Sequence, residues 1–197
     1  GCAVAVPSLA RDDPCFDETG GYWRGGVWSP TTYMVLRGLR RAGLTADEHA
    51  IALRHCEAVW KVFETTGTVH ENYAPVKAAP GRPAKPDFVG WSGLGPVALL
   101  IESVFGITVD WPTRTLVWVV RLADEFGIDE LPVGPNGVVS LRCAKRSSTT
   151  EPPSLTVTTD SPLKLIVRWP AGDAPSAGER SKTVTLSPGS QEIRCSA

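Results

Sequence analysis

The hydrophobic period of this chain changes at Gly106, and no other feature limits its possible folds as much. Upstream, apolar residues recur every three or four positions, as one face of a helix requires; downstream they alternate, as a half-buried strand requires. Ser29, with Pro30 in the first turn, opens a helix that runs through Tyr33, Leu36 and Leu39 to Gly43. Thr45-Ala-Asp-Glu48 has the form of a capping box, and Ala52, Cys56, Val59 and Phe63 carry the second helix to Gly67. Leu94, Val97, Ala98, Ile101 and Phe105 predict a third, starting after Ser92. Beyond Gly106, residues 115–120, 138–142, 155–158, 163–167 and 183–186 alternate and predict strands separated by turn-rich segments. The expectation is a mainly α chain, helical over 1–106, with a small antiparallel β module appended over 107–197.

Two helices joined by a tight turn return the chain to the end it left. The loop at 22–28, the loop at 67–91 and its last stretch at 87–93 are therefore expected to meet on one rim. That rim is rich in Trp, Tyr, Arg and Asn, while the opposite end has only Gly43-Leu44. On it, Trp23, Arg24 and Trp28 stand among glycines, which let backbone approach a ligand; indole faces suit sugar rings, although they suit a packed core equally well. Glu71 is the only acid between Glu64 and Asp87, with Asn72 and Tyr73 beside it to orient it or hold a water. A lone loop carboxylate is usually solvated; its place on a Trp-rich rim is what makes it a candidate. His70 is expected to pack, and Asp87 to brace the start of the third helix or to act as an acid.

The totals exclude several functions. Lys and Arg number 20 against 21 Asp and Glu, and the pI is about 6.4. Neither a nucleic-acid surface nor a polybasic membrane contact is expected. No apolar run reaches the roughly 18 residues of a membrane span, and a cytoplasmic location is expected. The five cysteines are odd in number and widely spaced, so reduced thiols are expected. His49, His55 and His70 lack metal-site spacing, and no metal or cofactor is expected.

Three ordered segments, GYWRGGVWSPTTYMV, TGTVHENYAP and KPDFVGWSGLGPVALLIESVFGI, resemble the successive signatures of the (α/α)6-barrel glycoside hydrolases of family 63 and the mannosylglycerate-hydrolase-like group, and more distantly trehalases. The resemblance covers about residues 12–110. It implies a partial (α/α)6 toroid and a carbohydrate substrate, an α-linked glucoside or mannoside hydrolysed with inversion. Glu71 matches the general base, and Trp23, Arg24, Trp28 and Trp91 match residues lining the sugar-binding end; Tyr22, Asn72 and Tyr73 beside them complete the expected substrate-binding set. Val76 stands where a second acid is common, and the Asp that serves as general acid falls in a stretch of barrel with no counterpart here. The chain, which begins with Gly, is therefore expected to be the C-terminal portion of a longer enzyme. It should be inactive alone and should self-associate through its exposed helix faces. The alternative is a non-catalytic carbohydrate-binding or regulatory protein using the same aromatic rim.

Overall fold

The computed structural model describes residues 4–174 and 177–196 and divides into two compact units, Gly1–Val104 and Phe105–Ala197. Cys2 lies outside the described residues. In the first unit α1 (Ser29–Arg41) and α2 (Thr45–Thr66) form an antiparallel pair around the turn at Gly43. Gly67 ends α2 in the left-handed conformation (φ 74°), its N–H returning to the Phe63 carbonyl. Both helix starts differ from expectation. Trp28 is the residue before α1, and Ser29 turns its hydroxyl inward to His55 instead of capping. Glu48 is buried and pairs with Arg40, which also reaches Glu102 and the Ser103 hydroxyl; one guanidinium thus ties α1 to α2 and to residues 102–103.

The third helix is not an α-helix. A 3-10 turn (Trp91–Leu94) leads into a π-helical segment (Gly95–Val104). Gly93 and Gly95 loosen the backbone, and Pro96 lacks the N–H and crowds the carbonyl behind it, so regular α winding is poorly supported there.

Among the described residues, the second unit holds eight strands: β1 (Ile107–Asp110), β2 (Thr115–Val119), β3 (Phe126–Val133), β4 (Gly137–Cys143), β5 (Ser154–Thr159), β6 (Leu163–Pro170), β7 (Glu179–Leu186) and β8 (Gly189–Arg194). They make two four-stranded sheets, β1-β2-β6-β7 and β3-β4-β5-β8. The second sheet is antiparallel throughout, whereas β2 and β6 run parallel in the first, Leu116 facing Leu165 and Trp118 facing Val167. Leu163, Leu165, Val167 and Trp169 on β6, and Val139, Leu141 and Cys143 on β4, alternate buried with less buried neighbours and supply the core.

Arg146 fastens the ends of these strands from inside. Only 5 % exposed, it donates from Nη1 to the carbonyls of Thr149 (2.9 Å) and Glu151 (2.6 Å), and from Nη2 to those of Val120 (3.2 Å) and Leu122 (2.8 Å).

The expected architecture is thereby corrected. Among the described residues strand, isolated bridges included, accounts for 31 % and helix for 26 %, so this is not a mainly α toroid with a small β appendage. The helical pattern upstream of Gly106 was real for two helices, but the long stretches before α1 and after α2, residues 4–28 and 67–90, are loop. The β unit has two full sheets, one of them mixed, instead of a small antiparallel segment. Among the described residues, no helix is long and apolar enough to cross a membrane.

Candidate active site

The rim is assembled by backbone pairing between loops distant in sequence. Val27 and Tyr73 exchange both N–H···O bonds (2.9 and 3.0 Å), Arg82 N–H reaches Thr19 O, and Gly81 N–H reaches Asn72 O. Glu71 N–H is held by Lys85 O at 2.9 Å, and the Ser92 hydroxyl donates to the carbonyls of His70 (2.8 Å) and Glu71 (3.4 Å). The three loops named from the sequence thus meet at Glu71.

Above this frame lies an aromatic cluster. Trp28 is fully buried; Trp23 stacks on it (centroids 4.1 Å, planes 11° apart), and Tyr22 and Trp91 meet it edge-on at 4.7 and 5.7 Å. Trp23 and Trp91 remain 49 % and 43 % exposed, so two indoles offer free faces to a ligand. The Tyr22 hydroxyl donates to Glu71 Oε1 at 3.1 Å. Glu71 itself is half-buried.

Other residues named from the sequence lie beneath the rim. Asn72 is fully buried: its amide donates to Pro83 O, and its Oδ1 is wedged against Gly81, where a Cβ would come within 1.8 Å of it. Tyr73 is also buried, its hydroxyl accepting from His70 N–H. Both brace the loops from within. Asp87, at φ 52°, accepts from the Thr68 hydroxyl at 2.7 Å and caps no helix.

Asp17 went unnoticed in the sequence, yet it organises the loop that carries Arg24. Its carboxylate accepts from the Thr19 hydroxyl (2.7 Å), Thr19 N–H (2.8 Å) and Arg24 (3.3 Å). The hydroxyl bond above all, then the N–H bond and the Arg24 charge, hold it below the ordinary carboxylate range against slight desolvation. The spacing Asp17-Glu-Thr19 was the available signal, since an Asp side chain bonds readily two residues on.

On α2, His55 is fully buried with Nε2 3.2 Å from the Ser29 hydroxyl, and burial lowers its pKa to about 4. A depressed folded-state value means stability that is complete above the unfolded pKa, near 6.5, and is lost as pH falls towards 4. The size is about 3 kcal/mol. Urea unfolding followed at pH 7, 5.5 and 4 should show this loss in that window, before most carboxylates titrate, and His55→Phe should flatten it. Among the described residues, no group of three or more His, Cys, Asp or Glu is placed to hold a metal ion. Cys15, Cys56, Cys143 and Cys195 are free thiols.

Parts of the chain are similar to known proteins. The family model of the mannosylglycerate hydrolase MGH1-like glycoside hydrolase domain matches residues 1–92. An uncharacterized protein of Borreliella burgdorferi is 23 % identical over 141 residues, covering 66 % of this chain and 30 % of that protein. The mannosyl-oligosaccharide glucosidase of Saccharomyces cerevisiae is 29 % identical over 100 residues, 44 % of this chain and 12 % of the enzyme. The chain therefore spans less than a third of the length of either relative. No solved structure matches it significantly. Tyr22, Glu71 and Trp91 all fall within residues 1–92, the segment of this chain that is similar to the MGH1-like glycoside hydrolase domain.

Proposed function

We propose that Glu71 is the general base of an inverting glycoside hydrolase acting on an α-linked glucoside or mannoside. The observation that carries this reading is a half-buried carboxylate, bonded to Tyr22, on a rim with the free indole faces of Trp23 and Trp91, inside the segment matched by a glycosidase family. Glu71 takes a proton from water as the water oxygen attacks the anomeric carbon. Trp23 and Trp91 stack on the sugar, and Arg24, steadied by Asp17, binds its hydroxyls. Trp28, Asn72 and Tyr73 support them from below.

Inversion needs a second carboxyl group, roughly 6.5–9.5 Å from the first, that arrives protonated. Asp17 is unsuited, because its bonds to Thr19 and Arg24 favour the ionised form. The acid comes, on this reading, from polypeptide outside the matched residues, and the 197 residues alone bind sugar without cleaving it. The test uses the full-length natural protein with a series of α-linked glucosides and mannosides. Proton NMR in the first minutes should show the β-anomer of the released sugar before mutarotation. First release of the α-anomer would mean retention and exclude the mechanism; binding without release would favour the non-catalytic alternative.

A further inference from the structure

Tyr22 has a left-handed backbone (φ 63°), a conformation that bulky side chains rarely adopt. It follows Gly20 (φ 104°) and Gly21 (φ 44°), and a Cβ on Gly21 would come within 2.7 Å of the Asp17 side chain. Backbone held this way persists only where its surroundings enforce it. Here the Tyr22 ring is fixed edge-on against Trp28 and, at 6.0 Å, against Trp23. The result is a phenol whose hydroxyl lies 3.1 Å from Glu71 Oε1. Lys85 and Ser92 fix the Glu71 backbone, but among the described residues its carboxylate has no other hydrogen bond.

We infer that Tyr22 is a positioning residue for Glu71, its hydroxyl tying Oε1 so that Oε2 faces the attacking water. This rests on the reading of Glu71 as base and goes beyond sugar contact, the role expected of Tyr22 from the sequence. In the hydrolytic step the water oxygen bonds to the anomeric carbon and the water proton passes to Oε2. The glycosidic C–O bond breaks, and its oxygen takes a proton from the carboxylic acid of the second group. Tyr22 keeps its own proton throughout. Its bond to Glu71, with desolvation and the carboxylate charge adding to it, raises its pKa above the ordinary value of 10, so it stays a neutral donor.

Two measurements decide this. In the 197-residue chain, ultraviolet titration of the phenols should show one ionisation moving to lower pH in Glu71→Gln, and that step should be missing in Tyr22→Phe. Superimposable wild-type and Glu71→Gln curves would overturn the contact. In the full-length enzyme, Tyr22→Phe keeps the ring against Trp28 and loses only the hydroxyl. Its kcat should fall on the order of tenfold, with KM changed less than about twofold. A raised KM at unchanged kcat would make Tyr22 a substrate contact and overturn the proposal while leaving Glu71 as base. Full activity of Glu71→Gln would remove the base itself, and the positioning role with it.

Discussion

In the full-length protein, Glu71→Gln should lower kcat by about 10²–10⁴-fold, the usual contribution of a positioned general base. The amide keeps the size of the side chain and still accepts a bond from Tyr22, so geometry changes little. What is lost is the ability to take a proton from water. Because Glu71 is half-buried and makes no ion pair among the described residues, the thermal midpoint should stay within a few degrees of wild type. Steady-state kinetics alongside a thermal melt separates the two effects. A melt that collapses together with activity would make Glu71 a structural residue, and unchanged kcat would make it a bystander.

The second large effect belongs to stability and to the β unit. Arg146→Met preserves length and apolar stem but removes the donors to four carbonyls, those of Val120, Leu122, Thr149 and Glu151. At about 1 kcal/mol for each bond, with a further cost for carbonyls left buried and unpaired, the loss is about 3–5 kcal/mol. For a unit of this size that lowers the midpoint on the order of 15–30 °C. Urea unfolding followed by Trp118 and Trp169 fluorescence would report it, since both indoles are buried in that unit. A loss below about 1 kcal/mol would mean that water replaces the guanidinium without penalty.

The parts of the fold visible in the sequence were those governed by local rules. Gly43 and Gly67 marked helix ends because each backbone is left-handed there. β2, β4, β5 and β6 followed from alternation, since one face of each is buried, and β7 from the alternation of Thr183-Val-Thr-Leu186, although Leu186 is its single buried residue. β1 is four residues long, too short to establish a period; β8 contains a single buried apolar residue, Ile193; and β3 is broken in register between Ile128 and Leu131. No local rule could reveal the parallel pairing of β2 with β6, because it joins strands separated by three others. The toroid was an inference from family likeness across segments that mostly form loops, and the strand content overrides it.

The candidate site was legible in a similar way. The return of the chain to one rim is enough to bring the loops at Tyr22, Glu71 and Trp91 together, because a helix pair has only two ends. It could not tell which aromatic residues face outward. Trp28 and Tyr73 are buried while Trp23 and Trp91 are not, a distinction set by packing between loops and invisible to residue type. Nor could it find Tyr22 bonded to Glu71, since that bond depends on a left-handed tyrosine, which sequence pattern disfavours.

The base assignment is tested most directly by removing Glu71 and supplying a nucleophile that needs no deprotonation. Glu71→Ala in the full-length protein, given an activated α-glycoside and sodium azide, should regain turnover and yield the β-glycosyl azide, with almost no free sugar formed when azide is absent. Release of free sugar by Glu71→Ala at the wild-type rate without azide, or an azide product that keeps the α configuration, would contradict the account.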